Sequence, residues 1–392
     1  MVAAAATVAT LVPAQTAVAA PPSSAPSALS APSEPPAALL PIAQDAQDAL
    51  AYSFAMVAAA PDAGYRDGTV EAELAAGFRG LPDDQRQNFA ARGAALVAAP
   101  AEERLAHFGR HGRYTVDQYR ALGFDGVFTP ETVPGDPGAV REAIFGIADA
   151  IKVNYNRDLA RATDIAVEGG YGPIAQVPML KNLSLYLERV DCVDETNPEW
   201  AGHDEISVGG LKIDNTGETT KIDPYYVGGG FDDGDAADYG NPGHAFASFD
   251  LTTAGAWGRT FVVTTFLAEV DNGGFANALN AAWSQAKSKV QQVIAQWVGG
   301  VASELIGAAL GQALGQIVGW LVGAFVGWVI NLFNDDLFAP VTMTVTLPTR
   351  FAFMYDNPAF HGWSGRRLPS ATLNFSGHGG QYTTRMHWQV SA

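Results

Sequence analysis

Cysteine is almost missing from this chain: Cys192 stands alone among 392 residues. A disulfide framework is excluded, and so is a zinc site built on cysteine. Positive charge is scarce as well. Lys and Arg total 23 against 41 Asp and Glu, a formal net charge of -18 at pH 7. A surface of that sign repels phosphate backbones, so nucleic acid is not expected as a partner. Phosphate-cradling glycine loops are absent too. No Walker or dinucleotide fingerprint falls at a strand–helix joint, and Gly228-Gly229-Gly230 runs straight into acid.

Catalytic signatures are equally thin. His107 and His111 stand four apart, but no H-E-x-x-H surrounds them, and a polar helix face accounts for them better than zinc. Ser376-Gly377-His378-Gly379-Gly380 lacks the G-x-S-x-G elbow and reads as a glycine-rich turn. Trp363, Trp388, Tyr382 and Phe360 read as core rather than as a carbohydrate platform. No catalytic residue is assigned, and an enzyme is not favoured. What the chain does have is apolar substance: 48% hydrophobic against 16% charged residues, which excludes a solvated disordered chain and permits a sizeable core.

Residues 1–20 carry no charge, and Ala17-Val18-Ala19 fits the small-x-small pattern before a signal-peptidase cut, although the basic segment that usually opens such a leader is missing. Residues 21–41 hold seven prolines among Ala and Ser, the composition of an extended linker. Together they predict a secreted or cell-surface protein.

The remainder predicts an α+β chain. Residues 42–178 form a helical domain, with helices expected at 43–58, 69–77, 82–97, 100–110, 115–121 and 137–164. Residues 179–392 switch to short alternating runs between Gly, Asp and Asn. These predict an antiparallel β-sandwich with strands Leu183–Val190, Glu205–Leu211, Ala245–Leu251, Thr260–Val270, Val341–Leu347, Arg350–Met354, Ala371–Phe375 and Tyr382–Val390.

A long hydrophobic helical hairpin, 273–336, interrupts that sandwich. Its first leg is amphipathic, with Phe275, Leu279, Trp283, Val290, Val293, Ile294 and Trp297 near one face. Its second leg, Leu305 to Phe333, runs 29 residues without a charge. As a helix it would span ~43 Å, more than the ~30 Å core of a bilayer. Gly307, Gly311, Gly315, Gly319, Gly323 and Gly327 recur at every fourth position, with Trp320 and Trp328 beside them. Each glycine costs a helix ~1 kcal/mol against alanine in water. Small-xxx-small spacing recovers that cost by letting another helix approach closely, as in membranes. The expectation is therefore a glycine zipper that packs on a helix or on copies of itself and can enter lipid. The alternative is the same helix buried inside a soluble fold.

Residues 190–238 hold 13 acidic side chains against Lys212 and Lys221. Asp191, Asp194, Glu195, Asp204, Asp232, Asp233, Asp235 and Asp238 are the candidate ligands for Ca²⁺, which takes six to eight oxygens from flexible loops. The alternative is a solvated acidic face. Cys192-Val193-Asp194-Glu195-Thr196, Asp204-Glu205-Ile206 and Phe231-Asp232-Asp233-Gly234-Asp235, set between strands, resemble a bacterial exported β-sandwich similar in outline to C2-type calcium and phospholipid modules. That resemblance implies acidic loops holding Ca²⁺ near a membrane, while the glycine-rich insertion departs from such modules. The leading expectation is a secreted, membrane-associating, pore-forming or cell-envelope protein that binds Ca²⁺. A soluble exported binding or structural protein and an extracellular hydrolase are the alternatives.

Overall fold

The computed structural model describes residues 35–392, apart from 82, 171, 174–176, 197–203, 270–272, 301–302, 334–337, 339, 358–359, 361 and 378. The export segment 1–20 and most of the 21–41 linker lie outside the described residues, as do His203 and His378.

The helical block follows its capping chemistry. α1 (Leu40–Ala59) starts with Pro41 in its first turn, and α2 (Val70–Arg79) is capped by Thr69, whose hydroxyl accepts from Ala72 N. α3 (Asp83–Ala98) and α4 (Ala101–Phe108) follow, and a 3-10 turn, Gly109–Arg113, carries the chain on. α5 (Val116–Val127) opens with a reciprocal capping box between Thr115 and Gln118. It bends at Gly123, whose φ of 63° favours glycine. There the buried Glu71 carboxylate accepts from Phe124 N at 2.8 Å and from Ser53 Oγ at 2.7 Å. α6 (Pro137–Glu168) is capped by Asp136.

The strands form two antiparallel sheets. In one, β1 (Asn182–Asp194) pairs with β4 (Ala236–Asp238), β5 (His244–Asp250) and β9 (Gly380–Ser391), and β9 pairs with β8 (Ala371–Gly377). The other has the order β3 (Thr219–Phe231), β2 (Asp204–Ile213), β6 (Arg259–Glu269), β7 (Val341–Leu347). Between β6 and β7 the chain passes through α7 (Gly273–Val298) and α8 (Glu304–Phe333), then returns to pair Thr265 with Val341.

Two hydrophobic clusters lie on either side of the second sheet. Alternation along β6 divides its side chains: Phe261, Val263 and Leu267 join Leu185, Leu187, Met386 and Trp388 of the first sheet. Val262 and Phe266 join Leu211, Ile213 and the helices. β6 is thus buried on both faces, which is why its sequence reads as a near-continuous apolar run. The helical cluster links α1, α2, α5 and α6 with α7 and α8 in one core.

The strand expectations need correction at three places, since one expected strand is absent and β3 and the short β4 are additional. Arg350–Met354 is not a strand; Ala352–Asp356 is a 3-10 turn that buries Phe353, Met354 and Tyr355. β3 was not foreseen, because Pro224 and Gly228-Gly229-Gly230 argue against a strand; it is tolerated as the edge of its sheet, where a missing N–H breaks no ladder. Trp363, Trp388 and Tyr382 are buried in the core.

Asp158, on the face of α6 that meets the sheets, is 2% exposed, and its Oδ2 has no partner. Burial raises its carboxyl above the ordinary value, against the lowering effect of Arg157 at 3.3 Å. A raised folded-state pKa means that the fold loses stability as pH climbs past the unfolded value of about 3.9. Asp158→Asn should therefore be more stable than the parent at pH 7, with the difference vanishing below about pH 4. Urea titrations at the two pH values check this, and a less stable variant at pH 7 would contradict it.

Candidate functional site

The acidic residues singled out from sequence do meet. β3 ends at Phe231, and a turn with Gly234 at φ 86° carries the chain across to β4 on the other sheet. β4 lies along the end of β1, with Asp191 opposite Ala236 and Arg189 opposite Asp238. Cys192 N donates to Asp235 O at 2.9 Å, and Gly234 N to Cys192 O at 3.0 Å. Asp204 opens β2 opposite Phe231. The backbones of Asp191, Asp194, Glu195, Asp204, Asp232, Asp233, Asp235 and Asp238 therefore share one corner of the two sheets; the Asp204 side chain lies outside the described residues.

Their carboxylates are turned to local work. Asp233 Oδ1 accepts from Glu195 N at 2.9 Å, Asp235 Oδ2 from Asp232 N at 3.1 Å, and Asp238 Oδ1 from Gly240 N at 2.8 Å. Arg189 reaches Asp191 at 2.6 Å and Asp238 at 3.7 Å. Among the described residues, no group of three or more His, Cys, Asp or Glu side chains converges as a cation cage. Asp235 and Asp238 stabilise turns, as short acidic side chains do, and Asp233 ties the two loops together.

The glycine ladder has a different neighbour from the one expected. A Cβ on Gly311 would lie 2.5 Å from Asn215 O, and one on Gly319 would lie 3.1 Å from Val262 Cγ1. Gly315 faces Asp214 O at 3.5 Å, and Gly323 faces Thr342 Oγ1 at 3.9 Å. The ladder thus lies on the second sheet and its β2–β3 turn, and the close partner of these glycines is not another helix. Gly307, one turn nearer the helix start, faces nothing within 4 Å among the described residues. Gly327 and Trp328 lie outside the described side chains.

Part of the remaining surface of α8 is covered by helices. Leu321, Ile317 and Val318 are at most 1% exposed, and Trp320 is partly buried against the helical cluster. Phe325 meets Phe54 of α1 at 5.5 Å and Trp283 of α7 at 5.8 Å, both edge-on. Trp283, Val290, Val293 and Ile294 of the amphipathic leg are buried, as its periodicity implied. Phe275 and Leu279 lie outside the described side chains.

No known family model, curated protein or solved structure matches this chain. The site must be read from its own chemistry.

One polar cluster escaped sequence reasoning. Glu188, in a bulge of β1, is 5% exposed. Its carboxylate accepts from Arg385 Nε at 2.8 Å, from Ser370 Oγ at 3.0 Å and from Arg367. His387 Nδ1 lies 2.8 Å away, its ring stacked on Tyr186 at 5.3 Å. Burial works to raise the Glu188 carboxyl, but Ser370, Arg385 and Arg367 outweigh it, so the group ionises below its usual range. Burial, helped by Arg367, lowers His387 and keeps its ring neutral at pH 7. Chain segments nearly two hundred residues apart meet here, a separation that no local motif announces.

His107 and His111 part company. His107 sits in α4, whereas His111 is fully buried in the 3-10 turn with Nε2 3.1 Å from Asp45 Oδ1.

Proposed function

We propose that this chain is a soluble, exported, non-enzymatic binding or structural protein. In this reading the two sheets form a β-sandwich, α7 and α8 are an insertion between β6 and β7, and the glycine-rich helix is an internal strut. The observation that carries it is the cover over α8: sheet on its glycine row, and α1, α6 and α7 on its bulky side. Leu321 has no exposed surface left to offer to lipid. The side chains buried there already gain about 25 cal/mol per Å² within their own chain, so transfer to a bilayer offers them little further gain.

Membrane association is the second reading, and one observation favours it. Glu304–Phe325 is long and apolar enough to cross a membrane, yet only just over half of its most apolar stretch is buried. Both legs leave from and return to neighbouring strands, so the pair could swing out together as a hairpin. Ca²⁺ at the acidic corner belongs to this reading and rests on acidic composition alone.

Size-exclusion chromatography with light scattering separates the two. The first reading expects a detergent-free monomer that does not move with anionic liposomes, with or without roughly 1 mM Ca²⁺, a concentration that fills weak extracellular sites. Calcium-dependent migration with liposomes would overturn it in favour of the second.

A further inference from the structure

Beyond that reading, the geometry points to a second site on the helical face: a pocket that binds a small oxyanion joined to an apolar body, such as an organic phosphate or carboxylate. The cavity, about 610 Å³, is lined by Arg110, Arg113, Tyr114, Gln118, Ala121 and Leu122. Among the described residues no carboxylate lines it, although the whole chain carries -18.

The backbone dictates this grouping. In a 3-10 helix, residues three apart eclipse one another, so Arg110 and Arg113 of the 3-10 turn project from one side. On α5, Gln118, Ala121 and Leu122 stand at i, i+3 and i+4 and share a face. Tyr114 bridges the two elements.

The turn is held firmly. Gly112 presses on α4, where a Cβ would sit 2.3 Å from Arg104 O. Arg110 is anchored through Nε at 2.6 Å and Nη2 at 2.7 Å to Asp45, with Nη2 also donating to Val127 O at 3.0 Å. The Tyr114 ring stacks on buried His111 at 6.4 Å, and its carbonyl accepts from Tyr52 OH at 2.9 Å.

What remains over in the pocket is hydrogen-bond donors. Arg113 makes no ion pair or hydrogen bond within the described residues. The Gln118 carbonyl is taken by Thr115 N at 2.9 Å, which turns its NH₂ outward without an acceptor. The Tyr114 hydroxyl likewise has no partner among the described residues. An arginine fork, an amide NH₂ and a phenol around an empty space suit an oxyanion, since guanidinium pairs bidentately with carboxylate or phosphate. Leu122, 44% exposed, and Ala121 form an apolar wall beside those donors. A bare inorganic ion would leave that wall unused.

Isothermal titration of the full chain with phenyl phosphate should show one saturable site. Inorganic phosphate should bind at least tenfold more weakly, and higher salt should weaken both. Arg113→Met, at an exposed position, should lose at least tenfold in affinity while keeping the parent unfolding midpoint. Ala121→Trp, which fills the cavity from the other element, should abolish binding. Vesicles of phosphatidylglycerol distinguish a lipid headgroup from a free ligand. Binding to vesicles but not to phenyl phosphate, equal affinity for inorganic phosphate, or indifference to Arg113→Met would each overturn the proposal.

Discussion

Replacing Gly311 by alanine should destabilise the protein by about 2 kcal/mol, whereas the same replacement at Gly307 should stabilise it by up to about 1 kcal/mol. Both glycines belong to one ladder on one helix, so helix propensity favours alanine at each by the same ~1 kcal/mol. The difference lies in what the new methyl would meet. At 311 it would lie 2.5 Å from Asn215 O and 3.3 Å from Thr216 Cα, which are backbone atoms. That turn cannot yield easily. Asp214 Oδ1 accepts from Thr216 N at 2.8 Å and from Glu218 N at 3.0 Å, and Gly217, at φ 78°, is itself pressed on Leu314. At 307 the methyl would meet nothing within 4 Å among the described residues. Gly319→Ala should fall between, because Val262 at 3.1 Å is a side chain that can shift. Equilibrium urea unfolding measures all three. Equal losses at 307 and 311 would point instead to a uniform helix–helix seam.

Removing the Glu188 carboxylate should strongly destabilise the first sheet. Glu188→Gln should cost about 3 kcal/mol at pH 7, at the lower end for breaking a buried ion cluster, because Arg367 and Arg385 reach solvent and are partly screened. The pH dependence follows from the direction of the shift. The folded-state carboxyl ionises below its unfolded value of about 4.3, so its stabilisation is complete above that pH. It is lost as pH falls through the folded-state value. Parent and variant should therefore differ fully at pH 7 and converge in strong acid. Guanidinium unfolding across that range checks the pattern, and a gap independent of pH would contradict it.

Much of the fold was readable because local chemistry and tertiary structure agree. The helices expected at 69–77 and 137–164 correspond to α2 and α6, and the period of Trp283, Val290 and Ile294 marks a buried face. The missed elements are those where context overrides the local signal. β3 carries Pro224 and three consecutive glycines, and only its edge position makes it a strand. Ala352–Asp356 has strand-like apolar residues but turns to bury them around the α6 face.

The acidic corner was readable in composition, not in how the carboxylates are used. Asp233 and Asp235 bind backbone amides, a choice set by turn geometry that spacing alone does not reveal. In the glycine ladder, Gly311 and Gly319 have close neighbours in the second sheet and its turn, not in a helix. The identity of those neighbours depended on pairing between β2, β6 and β7, strands that lie on both sides of the ladder in sequence. The Glu188 cluster and the Arg113 pocket likewise arise from residues brought together by topology.

Native-state hydrogen exchange along α8, in the presence and absence of anionic liposomes, tests the central claim most directly. An internal strut should place the amides of 309–322 among the slowest in the chain, at the free energy of global unfolding, and liposomes should leave them unchanged. Fast exchange in that stretch, or a change in its protection when liposomes are added, would mean that the helix is not fastened to the sheet and helices that cover it.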